Sequence, residues 1–228
     1  MNNKKILITG ASRGIGLHLA KRLEMLGASV IGVYNETPIT LGNIDSYKCD
    51  LSSEKDIDEL FEYIKREYNN LDYVINCAAI SKDSDITEKT KEDFMKVLEI
   101  NLVGTFLVCK KALELMQEGV IVNISSTNAS TTYNPISLDY DASKAGVESL
   151  TKNLALRFPE IKICALAPNW VETEAVLEMS PEYLKSELKR VNQNKLITKE
   201  EATNKIIEII TNPNIKSGEI IRMDDSNE

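Results

Sequence analysis

Short apolar runs rich in β-branched residues alternate along this chain with longer amphipathic segments. Runs typical of strands lie at 4–9, 29–34, 46–49, 72–77, 120–125, 161–167 and 219–222. Segments with a helical rhythm lie between them at 15–26, 54–68, 92–117, 140–158 and 199–211. Most of the strand runs are apolar on both faces, which is typical of a parallel sheet covered by helices on both sides. The pattern predicts one doubly wound α/β domain over residues 1–228, with a mostly parallel sheet of about seven strands.

The charge balance argues against nucleic acid and anionic membrane surfaces as partners. The chain of 228 residues carries 27 Lys plus Arg against 35 Asp plus Glu, a formal net charge of −8. Such a surface repels phosphate groups. The first apolar run is too short for a signal peptide core, and a run long enough to span a membrane is absent from the sequence. We therefore expect a cytoplasmic protein that binds neither nucleic acid nor a membrane.

The cysteines and the histidine do not predict a metal site. Cys49, Cys77, Cys109 and Cys164 are far apart, and each lies in an apolar segment without a CxxC pair or a Cys/His cluster. We interpret them as reduced thiols of the core. The only histidine, His18, is interpreted as a packing or surface residue.

A glycine-rich turn follows the first strand at TGASRGIG, residues 9–16. Glycines allow a tight turn and a close approach of the backbone to a pyrophosphate, and the helix that follows directs its positive end at the phosphates. A tight turn without a ligand is the alternative. The position of the turn between strand and helix favours a Rossmann-type dinucleotide site. The residues predicted to bind there are Gly10, Ser12, Arg13, Gly14, Ile15 and Gly16.

Tyr140 and Lys144 are four residues apart, so a helix would place them on one face. Hydride transfer to a carbonyl leaves negative charge on oxygen, and the site then needs a proton donor. A tyrosine has an ordinary pKa near 10, and a nearby ammonium would lower it. The spacing alone is common by chance, and its meaning depends on the surrounding motifs.

The turn TGASRGIG, the strand VIVNISS at 120–126 and the segment YDASK at 140–144 together resemble the short-chain dehydrogenase/reductase family. The nearest resemblance is to the β-ketoacyl-acyl-carrier-protein reductases. It implies that Tyr140 is the proton donor and that Ser126 orients the carbonyl. It also implies that Lys144 binds the nicotinamide ribose and lowers the pKa of Tyr140.

Two of the resembling positions have alternatives. The interval from Ser126 to Tyr140 is one residue longer than expected and the family's glycine after this serine pair is missing, so Ser125 or Thr127 could replace Ser126. Asn101, in EINLVGTF, matches the family's asparagine, which holds a water that links the lysine to solvent. A capping or helix-bending asparagine is the alternative.

The resemblance also implies further cofactor contacts. Asp50-Leu51 matches the adenine-binding acid and its neighbour, with a turn aspartate as the alternative. In NCAA at 76–79, Asn76 would brace the central strand and Ala78 would line the adenosine side. In PNWVET at 168–173, Pro168, the Val171 backbone and the Thr173 hydroxyl would hold the nicotinamide carboxamide. Asn169 replaces the family's glycine and could adopt a left-handed conformation.

The end of the second strand bears on the choice of cofactor. An acid there would bind the ribose 2′-hydroxyl of NAD and repel a 2′-phosphate. The chain has Tyr34 and Asn35 there, with no acid before Glu36, and Arg13 adds a positive charge in the glycine turn. We therefore expect NADPH, with NAD as the alternative.

The resemblance implies reduction of a carbonyl, with a 3-oxoacyl thioester of acyl-carrier protein or coenzyme A as one candidate. Another small alcohol, sugar or steroid is an alternative, and so is a cofactor-sensing protein without catalysis. The polar segment at about 172–197 would form a substrate loop. The tail lacks the family's Asp-Gly-Gly after the last strand. By analogy, the segments 92–117 and 140–158 would form the contacts of a homotetramer.

Overall fold

The computed structural model describes residues 1–224 and contains one sheet of seven strands. The strands are β1 (Lys5–Thr9), β2 (Ser29–Tyr34), β3 (Asp45–Lys48), β4 (Tyr73–Asn76), β5 (Gly119–Ile124), β6 (Ile161–Pro168) and β7 (Ile220–Met223). Their order across the sheet is β3-β2-β1-β4-β5-β6-β7, and every neighbouring pair is parallel. The predicted doubly wound α/β fold is confirmed, and the sheet is entirely parallel.

Helices connect the strands and cover both faces of the sheet. They are α1 (Gly14–Met25), α2 (Glu54–Tyr68), α3 (Lys91–Leu98), α4 (Thr105–Leu115), α5 (Leu138–Arg157), α6 (Glu174–Leu177), α7 (Pro181–Arg190) and α8 (Lys199–Thr211). Side chains of α2, α4 and α5 belong to one buried cluster, and those of α1 and α8 belong to the other. Successive residues of β1 alternate between them, because a strand directs neighbouring side chains to opposite faces. Leu7 lies in the first cluster, and Ile6 and Ile8 lie in the second.

Capping side chains mark where several helices begin. The Ser53 hydroxyl accepts a hydrogen bond from the Asp56 amide at the start of α2. At α8, Thr198 and Glu201 bond each other's backbone amides in a capping box. These polar starts precede α2 and α8, whose bounds match the helical segments 54–68 and 199–211 predicted from the sequence.

The helical segment predicted at 92–117 is not one regular α-helix. A π-helical segment at Glu99–Gly104 separates α3 from α4, and α4 ends at Leu115. The apolar rhythm hides this change, because a π turn adds one residue without breaking the helical course. The last strand lies one residue later than predicted. The segment in which the tail lacks the family's Asp-Gly-Gly lies mostly beyond residue 224, outside the described residues.

The sequence analysis interpreted the four cysteines as reduced thiols of the core. All four cysteines are free thiols, and three of them are buried. Cys77 is half-buried: it packs against the second buried cluster and also lines a cleft. It follows the end of β4, where the chain leaves the sheet.

Across residues 1–224, no helix is both long and apolar enough to cross a membrane, and no three His, Cys, Asp or Glu side chains are placed to hold a metal ion.

The sheet contains one point at which the chain changes direction. The connections from β1 lead through β2 to β3 on one side, and β4 then pairs with β1 on the other. Thr9, at the carboxyl end of β1, is in register with Val33 of β2 and Asn76 of β4. The loops after β1 and β4 therefore diverge, which opens a crevice beyond the carboxyl ends of the strands.

Candidate active site

A cleft of about 790 Å³ lies beyond the carboxyl ends of the strands. It brings together most of the residues that the sequence predicted for the site. Those in its lining are Gly10, Ser12, Arg13, Gly14, Ile15, Gly16, Tyr34, Asp50, Leu51, Ala78, Ser126, Tyr140, Lys144, Pro168, Val171 and Thr173. Asn76 and Asn101 are not in the lining.

The glycine turn is shaped by close backbone contacts. Gly10 has φ +66°, and a Cβ atom there would lie 2.7 Å from the Cα atom of Ala78. A Cβ atom on Gly16 would lie 2.3 Å from the carbonyl oxygen of Gly10. Larger residues would separate β1, α1 and the loop after β4. The resulting cradle at the amino end of α1 fits the pyrophosphate of a dinucleotide.

The end of the cleft formed by the residues after β2 and β3 suits an adenosine group. One acidic residue there, Asp50, also forms hydrogen bonds within a turn. Tyr34, Glu36 and Leu51 line this end together with Asp50. One carboxylate oxygen of Asp50 accepts hydrogen bonds from the backbone amide and the hydroxyl of Ser52, at 2.9 and 2.7 Å. Asp50 therefore stabilises the turn before α2, which was the alternative interpretation of this residue.

Helix α5 presents Tyr140 and Lys144 to the opposite part of the cleft. Ser126, which follows β5, lines the cleft with these two residues, and its hydroxyl is close enough to the Tyr140 phenol to lower the pKa of that phenol. The Lys144 ammonium lies 5.5 Å from the centroid of the Tyr140 ring and donates a 2.7 Å hydrogen bond to the Ile124 carbonyl. The last residues of β5 and the first turns of α5 thus bring a hydroxyl, a phenol and an ammonium together.

The pKa values of this group differ from the expectation that Lys144 lowers the pKa of Tyr140. Burial raises the pKa of the Tyr140 phenol to about 12, and the hydrogen bond from Ser126 only partly opposes it. Burial also lowers the pKa of Lys144 to about 8, because the charged form loses its hydration. In this arrangement desolvation dominates, and Tyr140 is held as a neutral phenol able to donate a proton.

The structure separates the three hydroxyls considered for the carbonyl-orienting position. Ser125 is directed at α5 and donates to the Lys144 carbonyl and to Glu148, each at 3.3 Å. The Thr127 hydroxyl is fully buried and pairs with the Thr132 hydroxyl at 2.8 Å. Of the three hydroxyls, that of Ser126 is the one that lowers the pKa of the Tyr140 phenol, and this favours Ser126.

Asn101 lies in the π-helical segment and is completely buried. Its side chain accepts from the Ile80 amide and donates to the Ile80 carbonyl, both at 2.8 Å, and it donates to the Ser143 hydroxyl at 3.1 Å. Its backbone carbonyl accepts from the Thr105 hydroxyl at 2.8 Å. The side chain therefore connects the loop after β4 to α5.

Asn76 supports the middle of the sheet and does not face the cleft. Its side-chain amide donates to the side-chain oxygen Oδ1 of Asn123 on the neighbouring strand at 2.9 Å, and the Asn123 side chain donates to the Thr151 hydroxyl of α5 at 3.0 Å. This buried chain of polar groups joins β4, β5 and α5. These bonds agree with the expectation that Asn76 braces the strand. They do not agree with direct contact between Asn76 and the cofactor, because Asn76 is not in the lining of the cleft.

The segment after β6 forms the remaining wall of the cleft. The Trp170 backbone is held by the Gln193 amide, which accepts from its N–H at 3.0 Å and donates to its carbonyl at 2.9 Å. The Asn169 amide donates to the Met223 carbonyl at 3.0 Å. Asn169 is not among the described non-glycine residues with positive φ. Asn169 therefore does not adopt the left-handed conformation that its side chain would tolerate.

Sequence reasoning missed several residues that line the cleft near Tyr140. Asp83 and Ile80 lie in the loop after β4, and Asn134 and Ser137 lie in the loop before α5. The Ser137 hydroxyl donates to the Asp83 carboxylate at 2.7 Å and so connects the two loops. Their position beyond strand ends was the available signal, since ligands bind there in open α/β sheets. Glu174 was also missed, because its contact is with the distant glycine turn.

The fold and the cleft define a dinucleotide-binding α/β protein with a tyrosine and a lysine in its site. The family model described as short chain dehydrogenase matches residues 4–184. The chain belongs to the short-chain dehydrogenase/reductase family and is an oxidoreductase that uses a nicotinamide cofactor.

Similar proteins in this family have diverse names. Carbonyl reductase family member 4 of Xenopus laevis is 34% identical over 206 residues, covering 86% of this chain and 83% of the relative. The 3beta-hydroxysteroid dehydrogenase 1 of Eggerthella lenta is 32% identical over 190 residues, covering 76% and 72%. The 3-oxoacyl-acyl-carrier-protein reductase FabG of Aquifex aeolicus is 30% identical over 223 residues, covering 91% and 90%.

A solved structure supports the fold. The ligand-free aldohexose dehydrogenase of Thermoplasma acidophilum has a TM-score of 0.88 to this chain and is 23% identical, covering 98% of this chain and 93% of that one. This similarity concerns the arrangement of the elements.

Replacing Lys144 with Met is expected to remove a pH-dependent part of the free energy of unfolding. The pKa of Lys144 falls from 10.5 to about 8 on burial. Between these values the unfolded chain binds a proton that the folded protein lacks, so wild-type stability should rise with pH relative to the variant. Urea unfolding at about pH 7.5 and about pH 10 measures this. Lys152→Met, at an exposed lysine of α5, is the control. Equal pH dependence in wild type and Lys144→Met would contradict the prediction.

Proposed function

We propose that this protein is an NADPH-dependent reductase of small carbonyl compounds. The observation that carries the proposal is the convergence of Ser126, Tyr140 and Lys144 on the cleft that begins at the glycine turn. A non-catalytic cofactor-sensing protein would not need a hydroxyl, a phenol and an ammonium together in the lining of this cleft.

The chemistry follows from the positions of the three side chains. A reduced nicotinamide held in this cleft would supply a hydride to the carbonyl carbon. Tyr140 donates its phenolic proton to the carbonyl oxygen, and the hydroxyl of Ser126 orients that oxygen. Lys144, whose ammonium lies 5.5 Å from the centroid of the Tyr140 ring, holds the nicotinamide ribose. Asn101 positions α5 through Ser143 and the Ile80 loop.

The binding side of the cleft divides between the two ends of the cofactor. Gly10 and Gly14, with their neighbours in the turn, hold the pyrophosphate. Asp50 and Leu51 contact the adenine. Pro168, Val171 and Thr173 hold the carboxamide end. Residues 172–197 form the substrate loop of this single domain.

Charge at the adenosine end supports NADPH. Arg13 is exposed in the lining, and Tyr34 occupies the position at which an acid would repel a 2′-phosphate. Glu36 lies two residues further along and also lines this end. An arginine side chain can contact the phosphate as a charged donor, and this favours NADPH over NADH.

The first substrate to test is a 3-oxoacyl thioester, because a FabG relative aligns with nine-tenths of the chain. A hydroxylated substrate such as a sugar is the second candidate. It is favoured by the polar side chains of Asp83, Asn134 and Ser137 near the phenol, beside Trp170. Consumption of reduced nicotinamide with an acetoacetyl thioester, and its production with aldohexoses, distinguishes the two candidates.

We also propose a homotetramer that uses the outer faces of the π-helical segment, α4 and α5. Val103 and Phe106 are 45% and 42% exposed on this surface, which is unusual for large apolar side chains next to each other. Association would remove both from water.

Tyr140→Phe is expected to lower turnover by at least about a hundredfold, because the phenol is the only proposed proton donor to the carbonyl oxygen. Binding of NADPH, followed by its fluorescence, should be unchanged. Tyr133→Phe is the control, since it removes a phenol that is 64% exposed. Turnover preserved in Tyr140→Phe would overturn the proposed function.

Arg13→Ala is expected to weaken NADPH binding about fivefold and to leave NADH binding unchanged, because only NADPH carries the 2′-phosphate. Titrations of nicotinamide fluorescence measure both affinities. Arg22→Ala removes an exposed arginine from the other end of α1 and is the control. Equal weakening of the two cofactors would place Arg13 on a shared part of the molecule and reject this basis for selectivity.

Phe106→Glu is expected to reduce the assembled mass measured by light scattering, because a charge would be buried in the proposed contact. Met25→Glu adds the same charge at a site that is 74% exposed on α1 and should leave the mass unchanged. An unchanged tetramer in Phe106→Glu, or a wild-type monomer, would exclude this surface as the contact.

A further inference from the structure

A carboxylate from another part of the chain lies against the glycine turn. One oxygen of Glu174 accepts a hydrogen bond from the backbone N–H of Gly14 at 3.0 Å. Gly14 is the first residue of α1, and Arg13 before it provides no capping side chain. An amide at this end of a helix attracts an anion. Glu174 therefore supplies negative charge at the position where the proposed function places a cofactor phosphate.

The other oxygen of the same carboxylate contacts a cation. The Lys199 ammonium donates to Glu174 at 2.7 Å. Together the Gly14 amide and the Lys199 ammonium contact the two oxygens of one planar anion. A phosphate oxygen in the place of the carboxylate would meet the same two donors.

The fold holds these groups together across a long stretch of chain. Val171 pairs with Ile197 in a parallel bridge, and the Glu172 amide donates to the Ile197 carbonyl at 2.9 Å. This bridge fixes the beginning of α6, with Glu174, beside the beginning of α8, with Lys199. Both are therefore anchored through this bridge and not through the glycine turn.

The carboxylate is charged at neutral pH and can be released. The hydrogen bond from Lys199 is the main reason that the pKa of Glu174 lies below its ordinary value, and the Gly14 amide adds to this. The side chain is 51% exposed, so water is available to hydrate it when it leaves the turn. The Glu174 side chain also lines the cleft itself.

We propose that Glu174 is an internal competitor for the pyrophosphate position, and that the bound dinucleotide displaces it and takes over Lys199 as a phosphate ligand. This inference rests on the proposed function, because it requires the glycine turn to bind pyrophosphate. Cofactor binding then exchanges one anion for another at Gly14. Glu174 weakens the affinity for the cofactor, and Lys199 strengthens it.

Equilibrium binding of ADP and of adenosine, measured by calorimetry, tests the competition without relying on activity. Glu174→Gln keeps the size of the side chain and removes its charge. It should tighten ADP binding about fivefold, because a charge at a helix amino end is worth about 1 kcal/mol. Adenosine has no phosphate, so its affinity should stay the same. Glu178→Gln, at an exposed carboxylate just beyond α6, is the matched control and should bind ADP as wild type does.

A second variant tests the role of Lys199. Starting from Glu174→Gln, the additional change Lys199→Gln should remove the gain in ADP affinity, because the ammonium is then no longer available to the phosphate. Using the Glu174→Gln background prevents the loss of the Glu174–Lys199 ion pair from contributing to the result. ADP affinity that is equal in the single and double variants would overturn the assignment of Lys199.

The other outcomes separate the two proposals. If wild type binds ADP and Glu174→Gln binds it no more tightly, the competition is refuted while the cofactor site stands. An equal gain for ADP and adenosine also refutes it, because the effect would not depend on phosphate. If wild type binds neither ADP nor NADPH nor NADH, the proposed function fails and this inference fails with it.

Discussion

All seven strands run in one direction, so each of them delivers the chain out of the sheet at the same edge. At the pair β1 and β4 the connections diverge to opposite sides, and the backbone cannot fill the space between them. The cleft exists for this reason. The glycine turn, the loop after β4 and the loop after β5 are adjacent because their strands are adjacent. Every proposed function of the protein depends on this edge.

Helix α5 combines structural and chemical roles in one buried face. Ser143, Lys144, Glu148 and Thr151 are all buried on it, where a helix against a sheet would ordinarily carry apolar residues. Each is hydrogen-bonded, and the Lys144 ammonium uses the carbonyl of Ile124 at the end of β5. Burying these groups costs stability unless their partners are supplied. The last residue of β5 and the π-helical segment before α4 supply several of them, so the helix is held in one position relative to the sheet.

The cleft contains a local site for an anion, although the whole protein carries a net charge of −8. The beginning of α1 and Lys199 form a local site for an anion, and Glu174 already satisfies it. An internal carboxylate at such a site stabilises the turn through a favourable contact with the helix end. The same contact must be given up when a phosphate binds. The stability that Glu174 gives to the turn and the affinity for the cofactor are therefore opposed at one residue.

The amino-acid sequence by itself determined the order of the strands and helices, the glycine turn and the Tyr140–Lys144 pair. Each of these depends on residues within a few positions of one another, whose periodicity and spacing act locally. Only the tertiary structure decided what Asn101 contacts, which of the neighbouring hydroxyls meets Tyr140, and how desolvation changes the pKa values of Tyr140 and Lys144. The Glu174–Gly14 contact joins residues 160 positions apart. Such contacts and burial depend on how distant segments pack, and no local pattern in the chain encodes that packing.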